Sequence, residues 1–277
     1  MKFTKMQGAG NDFIVIDNRR ETLSEDQLSA LARNFCRRRF SIGADGLMAV
    51  ENAKKGGDFR MAFFNADGSP GEMCGNGARC IAKYGYENGL SDVKAVIETP
   101  AGIVEAERLG RELYAVKLNA ITRFDGDLQL SACGETFSCS YLELGDPGLP
   151  HLVVPWPKLR KADEGKLRQI GKALRSHPRL SKGANVNFYD IEEGNIFERT
   201  FERGVEDFTL ACGTGTGCLA AVLISQGIVS ENPVKVETAG GQLAVDVERS
   251  GSEITGLRLI GPAVTVAEGE TKTDLER

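Results

Sequence analysis

Leu28, Leu31, Ala32 and Phe35 recur at the spacing of one helical face, and Ser24 with Gln27 three residues on supplies a start signal. Together they predict a helix over about 25–35. Short apolar and alternating runs around it predict strands near 2–7, 13–17, 46–51 and 58–65. A glycine-rich turn follows at Cys74 and opens an apolar helix, which Gly89 stops. Strands near 93–99, 102–108 and 112–118 close this half. The second half predicts strands near 136–145 and 151–154, a helix over about 162–175, and strands near 184–191 and 195–202. A second glycine-rich turn at Cys212 then opens a helix to about Gly227, and four strands end the chain. The last of these, around 263–268, is expected to pair back with the first half.

The chain repeats itself. Cys74-Gly-Asn-Gly-Ala-Arg-Cys80 and Cys212-Gly-Thr-Gly-Thr-Gly-Cys218 share one form, and an apolar helical run follows each. Downstream, Glu98-Thr99-Pro100-Ala101-Gly102 matches Glu237-Thr238-Ala239-Gly240-Gly241. The strand-like segments Phe59–Phe64 and Ile196–Phe201 precede the two cysteines. A single long-period repeat means duplicated domains and not a solenoid. The predicted fold class is α+β: two domains, each a curved sheet with a helix against it. The expected domains are 1–118, rejoined by 263–277, and 119–262.

A chain of 277 residues suits two domains better than one small core. The 34 basic and 39 acidic residues give a net charge of −5 with no block of one sign, which argues against nucleic acid or an anionic membrane as partner. No apolar run reaches transmembrane length, and Met1-Lys2-Phe3-Thr4-Lys5 leads into a strand rather than a signal peptide core. A cytoplasmic location is therefore expected. The seven cysteines (36, 74, 80, 133, 139, 212 and 218) are odd in number and form no Cys-x-x-Cys pair, and the only histidines are His151 and His177. A disulfide framework and a structural zinc site are both poor fits.

Cysteine chemistry remains. Cys74 and Cys212 each stand just before glycines that open a helix. The first amides of a helix lack internal partners and carry partial positive charge, so they bind a carboxylate and are expected to pull a neighbouring thiol below its usual pKa of about 8.5. Racemisation at an amino acid's α-carbon needs a base on one face and an acid on the other. Two duplicated cysteine turns supply such a pair, and the helix-end amides stabilise charge building on the carboxylate. Cys80 and Cys218, six residues on, point elsewhere round the helix and read as core; Cys36, Cys133 and Cys139 read as structural.

The segments Phe64-Asn65-Ala66-Asp67-Gly68-Ser69, Glu72–Cys80, Glu202-Arg203-Gly204 and Leu210–Gly215 resemble the two signatures of the diaminopimelate epimerase family. Gly8–Phe13 and Gly183–Val186 resemble two further family segments. The resemblance implies two pseudo-symmetric domains, each a mostly antiparallel sheet or barrel around a central helix, with Cys74 and Cys212 as catalytic residues. It implies conversion between L,L- and meso-diaminopimelate for lysine and peptidoglycan precursors, without cofactor or metal, in a homodimer. Substrate contacts are implied at Asn11, Asn65, Gly75, Asn76, Asn185, Glu202, Arg203, Gly213 and Thr214. On a strand, adjacent Glu202 and Arg203 would face opposite ways unless the chain bends there. This chain departs from the family pattern at Leu149 in Gly148-Leu-Pro-His151, where the family has asparagine, at Gly46, where many members have glutamine, and by one extra residue before Cys212. Leu149 motivates an alternative, another two-cysteine racemase acting on a single-ended amino acid such as histidine.

Overall fold

The structure is a computed structural model that describes residues 1–71 and 74–272; Glu72 and Met73 of the first signature lie outside the described residues, as do 273–277. The chain divides into two compact units, the first Met1–Val116 with the chain from Gly261 onward, the second Lys117–Ile260.

The first unit runs β1 (Lys2–Gly8), β2 (Asn11–Asp17), α1 (Asn18–Glu21), α2 (Glu25–Phe35), β3 (Gly46–Glu51), β4 (Phe59–Asn65), α3 (Gly75–Glu87), β5 (Lys94–Thr99), β6 (Gly102–Arg108) and β7 (Leu113–Lys117). The second runs β8 (Ile121–Ala132), β9 (Glu135–Leu144), β10 (Leu149–Pro155), α4 (Glu164–Arg175), β11 (Asn185–Glu192), β12 (Asn195–Glu202), β13 (Asp207–Phe208), α5 (Gly213–Ser225), β14 (Val234–Thr238), β15 (Gly241–Ser250) and β16 (Glu253–Pro262). A last strand, β17 (Val264–Glu270), returns to the first unit and pairs antiparallel with β1. The α+β architecture expected from the repeat is the one observed.

Duplication extends to hydrogen-bond direction. In the first unit the order β17-β1-β2-β3-β4-β5-β6-β7 is antiparallel except at β2–β3 and β4–β5. In the second the order β8-β9-β10-β11-β12-β14-β15-β16 is antiparallel except at β10–β11 and β12–β14. Even the register repeats: Phe59 and Arg60 oppose Ile97 and Glu98, as Ile196 and Phe197 oppose Val236 and Glu237.

Each sheet has a helix on both sides. Strands from opposite ends of the first sheet's order, β1, β2, β5 and β6, all pack on α3, so the sheet curls round it; β9, β10, β11 and β15 do the same round α5. Helix α2 covers the outer face, with Leu28, Leu31, Ala32 and Phe35 against Ile14, Ile16, Leu47, Ala49 and Phe64. Helix α4 lays Leu167, Ile170 and Leu174 against Leu152, Val154, Val186, Phe188 and Phe201. Each such Leu, Ile or Phe stabilises the fold by roughly 1.5–3 kcal/mol through burial. Strands sandwiched in this way have two dry faces, which is why 13–16, 46–50 and 150–154 are continuously buried rather than alternating.

Local signals agree with this packing. Ser24 and Gln27 form the expected capping box of α2, and Asp163 caps α4 through the Lys166 amide at 2.6 Å. Gly89 and Gly227 both take positive φ just past α3 and α5, and Leu90 and Ile228 donate back to Gly85 and Leu223.

The loop before β4 closes on a carboxylate. Glu98 accepts from the backbone amides of Lys54 at 2.8 Å, Gly57 at 3.1 Å and Lys55. The Lys54 amide, ahead of the others, holds Glu98 below the usual carboxylate pKa, against the effect of burial. A depressed pKa gives stability that is present above the unfolded value and lost as pH falls. Thermal melts should therefore show Glu98→Gln with a lower Tm than the wild type at pH 7, and the gap should close as pH drops below about 4.

Candidate active site

Both cysteine turns are built alike. Cys74 and Cys212 are the N-cap residues of α3 and α5, with extended backbones (φ −124°, ψ 126° and φ −118°, ψ 104°). Both helices have 13 residues, and neither has a side-chain cap on its first amides. A helix start without a cap leaves N–H groups for an external acceptor. Gly75 and Asn76 open α3 and are buried; Gly213 and Thr214 open α5, the glycine buried and the threonine half-buried.

Around Cys74 the neighbours are polar and interlocked. Its thiol donates to Asn11 Oδ1 at 3.3 Å, and Asn11 Nδ2 donates to Asp45 Oδ2 at 2.6 Å. A carboxylate only accepts, so Asp45 turns the NH2 of Asn11 toward itself and the carbonyl toward sulfur. Arg38 bridges Asp45 Oδ1 at 2.8 Å and Asp12 Oδ1 at 2.5 Å, and Lys5 reaches Asp12 Oδ2 at 2.7 Å. Burial pushes the Asp12 carboxyl up, but Arg38 and Lys5 outweigh it and hold Asp12 below its ordinary value. Asn65 ends β4 exposed, in a turn where its Nδ2 donates to Ser69 Oγ at 3.0 Å. Gly46 has a steric reason to be glycine: an added Cβ would stand 2.5 Å from the Phe63 ring and 2.8 Å from the Phe64 carbonyl oxygen.

Cys212 sits in a drier place, and here the expectation of a lowered pKa is corrected. Burial pushes its thiol well above the ordinary value and nearby Glu202 adds to that, against contacts from Thr214 and the Gly215 amide. Thr214 Oγ1 lies 3.6 Å from Sγ. In this structure desolvation outweighs the helix start, so Cys212 rests as a thiol. Glu202 is itself raised by burial. Strand β12 ends at Glu202, and Gly204 and Glu206 take positive φ, so the bend required for Glu202 and Arg203 to part company is present. Asn185, buried at the start of β11, accepts from the Arg203 backbone amide at 2.8 Å, while Arg203 Nη1 donates to the Lys182 carbonyl at 2.9 Å.

Sequence reasoning missed a buried polar layer beneath α5. His151 is fully buried; burial lowers its pKa to about 3, so it is neutral. Its Nδ1 lies 3.3 Å from Asn187 Nδ2, which also donates to the Leu152 carbonyl, while Thr200 donates to Asn187 Oδ1. A Cβ on Gly215 would stand 2.1 Å from that Oδ1, so only glycine lets the helix begin there. Beside it, Thr216 Oγ1 lies 2.6 Å from Glu198 Oε2 and 3.0 Å from the Cys212 carbonyl. The hydroxyl has one proton for these two acceptors, and a protonated Glu198 relieves that competition by donating to Thr216 in turn. Burial raises its carboxyl to about 8, in agreement. No sequence signal marked Glu198, because glutamate on a strand is ordinarily a solvated residue. Asp45 was likewise hidden, in a loop without periodicity.

The other cysteines sort by burial. Cys80 and Cys218 are core residues as expected, as are Cys36 and Cys139, whereas Cys133 is exposed at the β8–β9 turn with φ 52°. All seven are free thiols. Among the described residues, no helix is long and apolar enough to cross a membrane.

The diaminopimelate epimerase family pattern matches residues 3–118 and 145–266. The chain belongs to the diaminopimelate epimerase family. It is 38% identical over 287 aligned positions to the diaminopimelate epimerase of Aquifex aeolicus, covering 99% of each. It is 39% identical to that of Methanocella arvoryzae, covering 99% of this chain and 98% of the relative. Among solved structures it resembles a probable proline racemase from Agrobacterium radiobacter, with a TM-score of 0.68, 18% identity, and coverage of 99% and 93%. A hydroxyproline epimerase from Agrobacterium vitis gives a TM-score of 0.66 at 17% identity, covering 97% and 90%. At those identities the structural likeness concerns the fold. The family makes this chain an isomerase of the epimerase type.

A raised folded-state pKa means that Glu198 keeps its proton in the fold and loses it on unfolding above the ordinary value of 4.5, so stability falls as pH rises toward 8. Each pH unit in that window costs about 1.4 kcal/mol. Glu198→Gln should flatten the decline of Tm between pH 5 and pH 8 and melt above the wild type at pH 8. An unchanged slope would count against a buried acid.

Proposed function

We propose that this chain interconverts L,L- and meso-diaminopimelate, in lysine and peptidoglycan precursor synthesis, with Cys74 and Cys212 as its acid–base pair and without a cofactor. The observation that supports this most strongly is the paired construction: two cysteines, each capping a glycine-opened helix of 13 residues whose first amides lack a side-chain cap. In each turn of catalysis one sulfur removes the α-proton as thiolate and the other, as thiol, delivers a proton to the opposite face. The helix-start amides carry the charge that grows on the carboxylate as the carbanion forms. The desolvated Cys212 thiol suits the donor role in the resting protein.

The proposal extends to the distal end of the substrate. Arg203 supplies a cation for the second carboxylate, and Glu202, with Asn11, Asn65 and Asn185, supplies acceptors for the second ammonium. Leu149, half-buried at the start of β10, stands where the family places a polar contact, so the other groups carry more of the recognition. Family membership disfavours the single-ended substrate that Leu149 alone suggested. We further propose that the enzyme works in the cytoplasm as a homodimer.

The test is purified protein with L,L-diaminopimelate in deuterated water and nothing added. Meso product with deuterium at the inverted α-carbon is expected. Cys74→Ala and Cys212→Ala should each lower kcat by about 10²–10⁴-fold, the range of a positioned acid or base. Absence of both product and exchange would reject the proposal.

A further inference from the structure

We propose that Arg79 is the positioning residue of the first cysteine turn, fixing Asn76 and supplying the positive charge that favours the thiolate of Cys74. This rests on the acid–base role given to Cys74 above, and goes beyond it by naming what distinguishes one sulfur from the other.

Among the described residues Arg79 is the largest fully buried side chain, at 0% exposure. Its Nη2 donates to Asn76 Oδ1 at 2.8 Å, its Nε to the Pro262 carbonyl at 3.2 Å, and its Nη1 to the Gly75 carbonyl at 3.4 Å. All three acceptors are neutral, and among the described residues no carboxylate pairs with it. A buried cation without an anion is costly, so a negative charge forming close by is stabilised. Its guanidinium reaches back to Gly75 and Asn76, the two residues that follow Cys74, and Cys80 is its neighbour in sequence. Cys80 is fully enclosed, and burial holds it up at about 12, so it stays neutral. Cys74 is only half-buried and heads the same helix. Attraction is reciprocal: a thiolate that stabilises the guanidinium is stabilised by it to the same extent. The carbonyl of Asn11 opposes this by accepting from the protonated thiol, and the cation tips the balance.

The second turn lacks this device. The position matching Arg79 is Gly217, where an added Cβ would meet Leu118 at 2.5 Å, and the buried ionisable groups beneath that turn are neutral His151 and the acid Glu198. The two repeats therefore carry opposite chemistry under the same backbone: a buried guanidinium against Gly75 and Asn76 in α3, a buried carboxylic acid against Thr216 in α5. Arg79 also fixes Asn76, whose backbone amide belongs to the anion-binding start of α3.

The experiment measures iodoacetamide alkylation at Cys74 and Cys212 separately, by peptide mass spectrometry at pH 7.5. It uses wild type, Arg79→Met and Arg79→Lys, each checked for native circular dichroism. No turnover is needed, so failure of the substrate assignment leaves this result readable. In the wild type Cys74 should react faster than Cys212. Arg79→Met should slow Cys74 by about tenfold, the effect of losing a neighbouring charge, with Cys212 within about twofold. Arg79→Lys should restore most of the Cys74 rate, which a purely packing role would not do. A folded Arg79→Met protein with an unchanged Cys74 rate would overturn the proposal. So would an equal fall at both cysteines, or a lysine variant as slow as the methionine one. Should Arg79→Met fail to fold, the lysine variant decides alone: a Cys74 rate within about threefold of wild type supports the charge, and a tenfold loss rejects it.

Discussion

The structure depends on burying the start of two helices that carry no side-chain cap. Most helix ends are capped by a side chain or left in water, because an orphan amide in a dry place is expensive. In α3 and α5 the cap position is given to cysteine, whose sulfur is a poor acceptor, and glycine fills the first turn so that little shields the amides. The fold supports this by wrapping a sheet round each helix and laying a second helix outside it.

Duplication gives the two turns one backbone, and the residues beneath them give each its own electrostatics. Under α3 lie a cation and a chain of ion pairs through Arg38, Asp12 and Asp45; under α5 lie neutral His151, protonated Glu198 and their amide and hydroxyl partners. One sulfur is half-buried beside a chain of ion pairs, the other is buried with Glu202 as its nearby acid.

Much of this was legible in the chain. The glycine pattern around Cys74 and Cys212 dictates its own local structure, and so do the Ser24–Gln27 box and the stop at Gly89, which is why those elements lie where periodicity put them. Strand β8 was not foreseen: most of Ile121–Ala132 is exposed, and two register shifts break its alternation. The polar layer around Asn187 and Glu198 was also invisible, because it is set by burial that only the assembled sheet creates. The expectation for Cys212 failed for the same reason. A helix start can be read from sequence, but the desolvation that overrides it cannot.

The strand that completes the first unit comes from the far end of the chain. Residues 264–270 lie along 2–7, and the Met1 carbonyl accepts from the Thr271 amide. The second unit is one uninterrupted stretch, whereas β1 has its β17 neighbour only once residues 264–270 have been made. The first cysteine turn depends on the same late segment, because Arg79 donates to the Pro262 carbonyl and so gains that partner only when the chain beyond the second unit has been made.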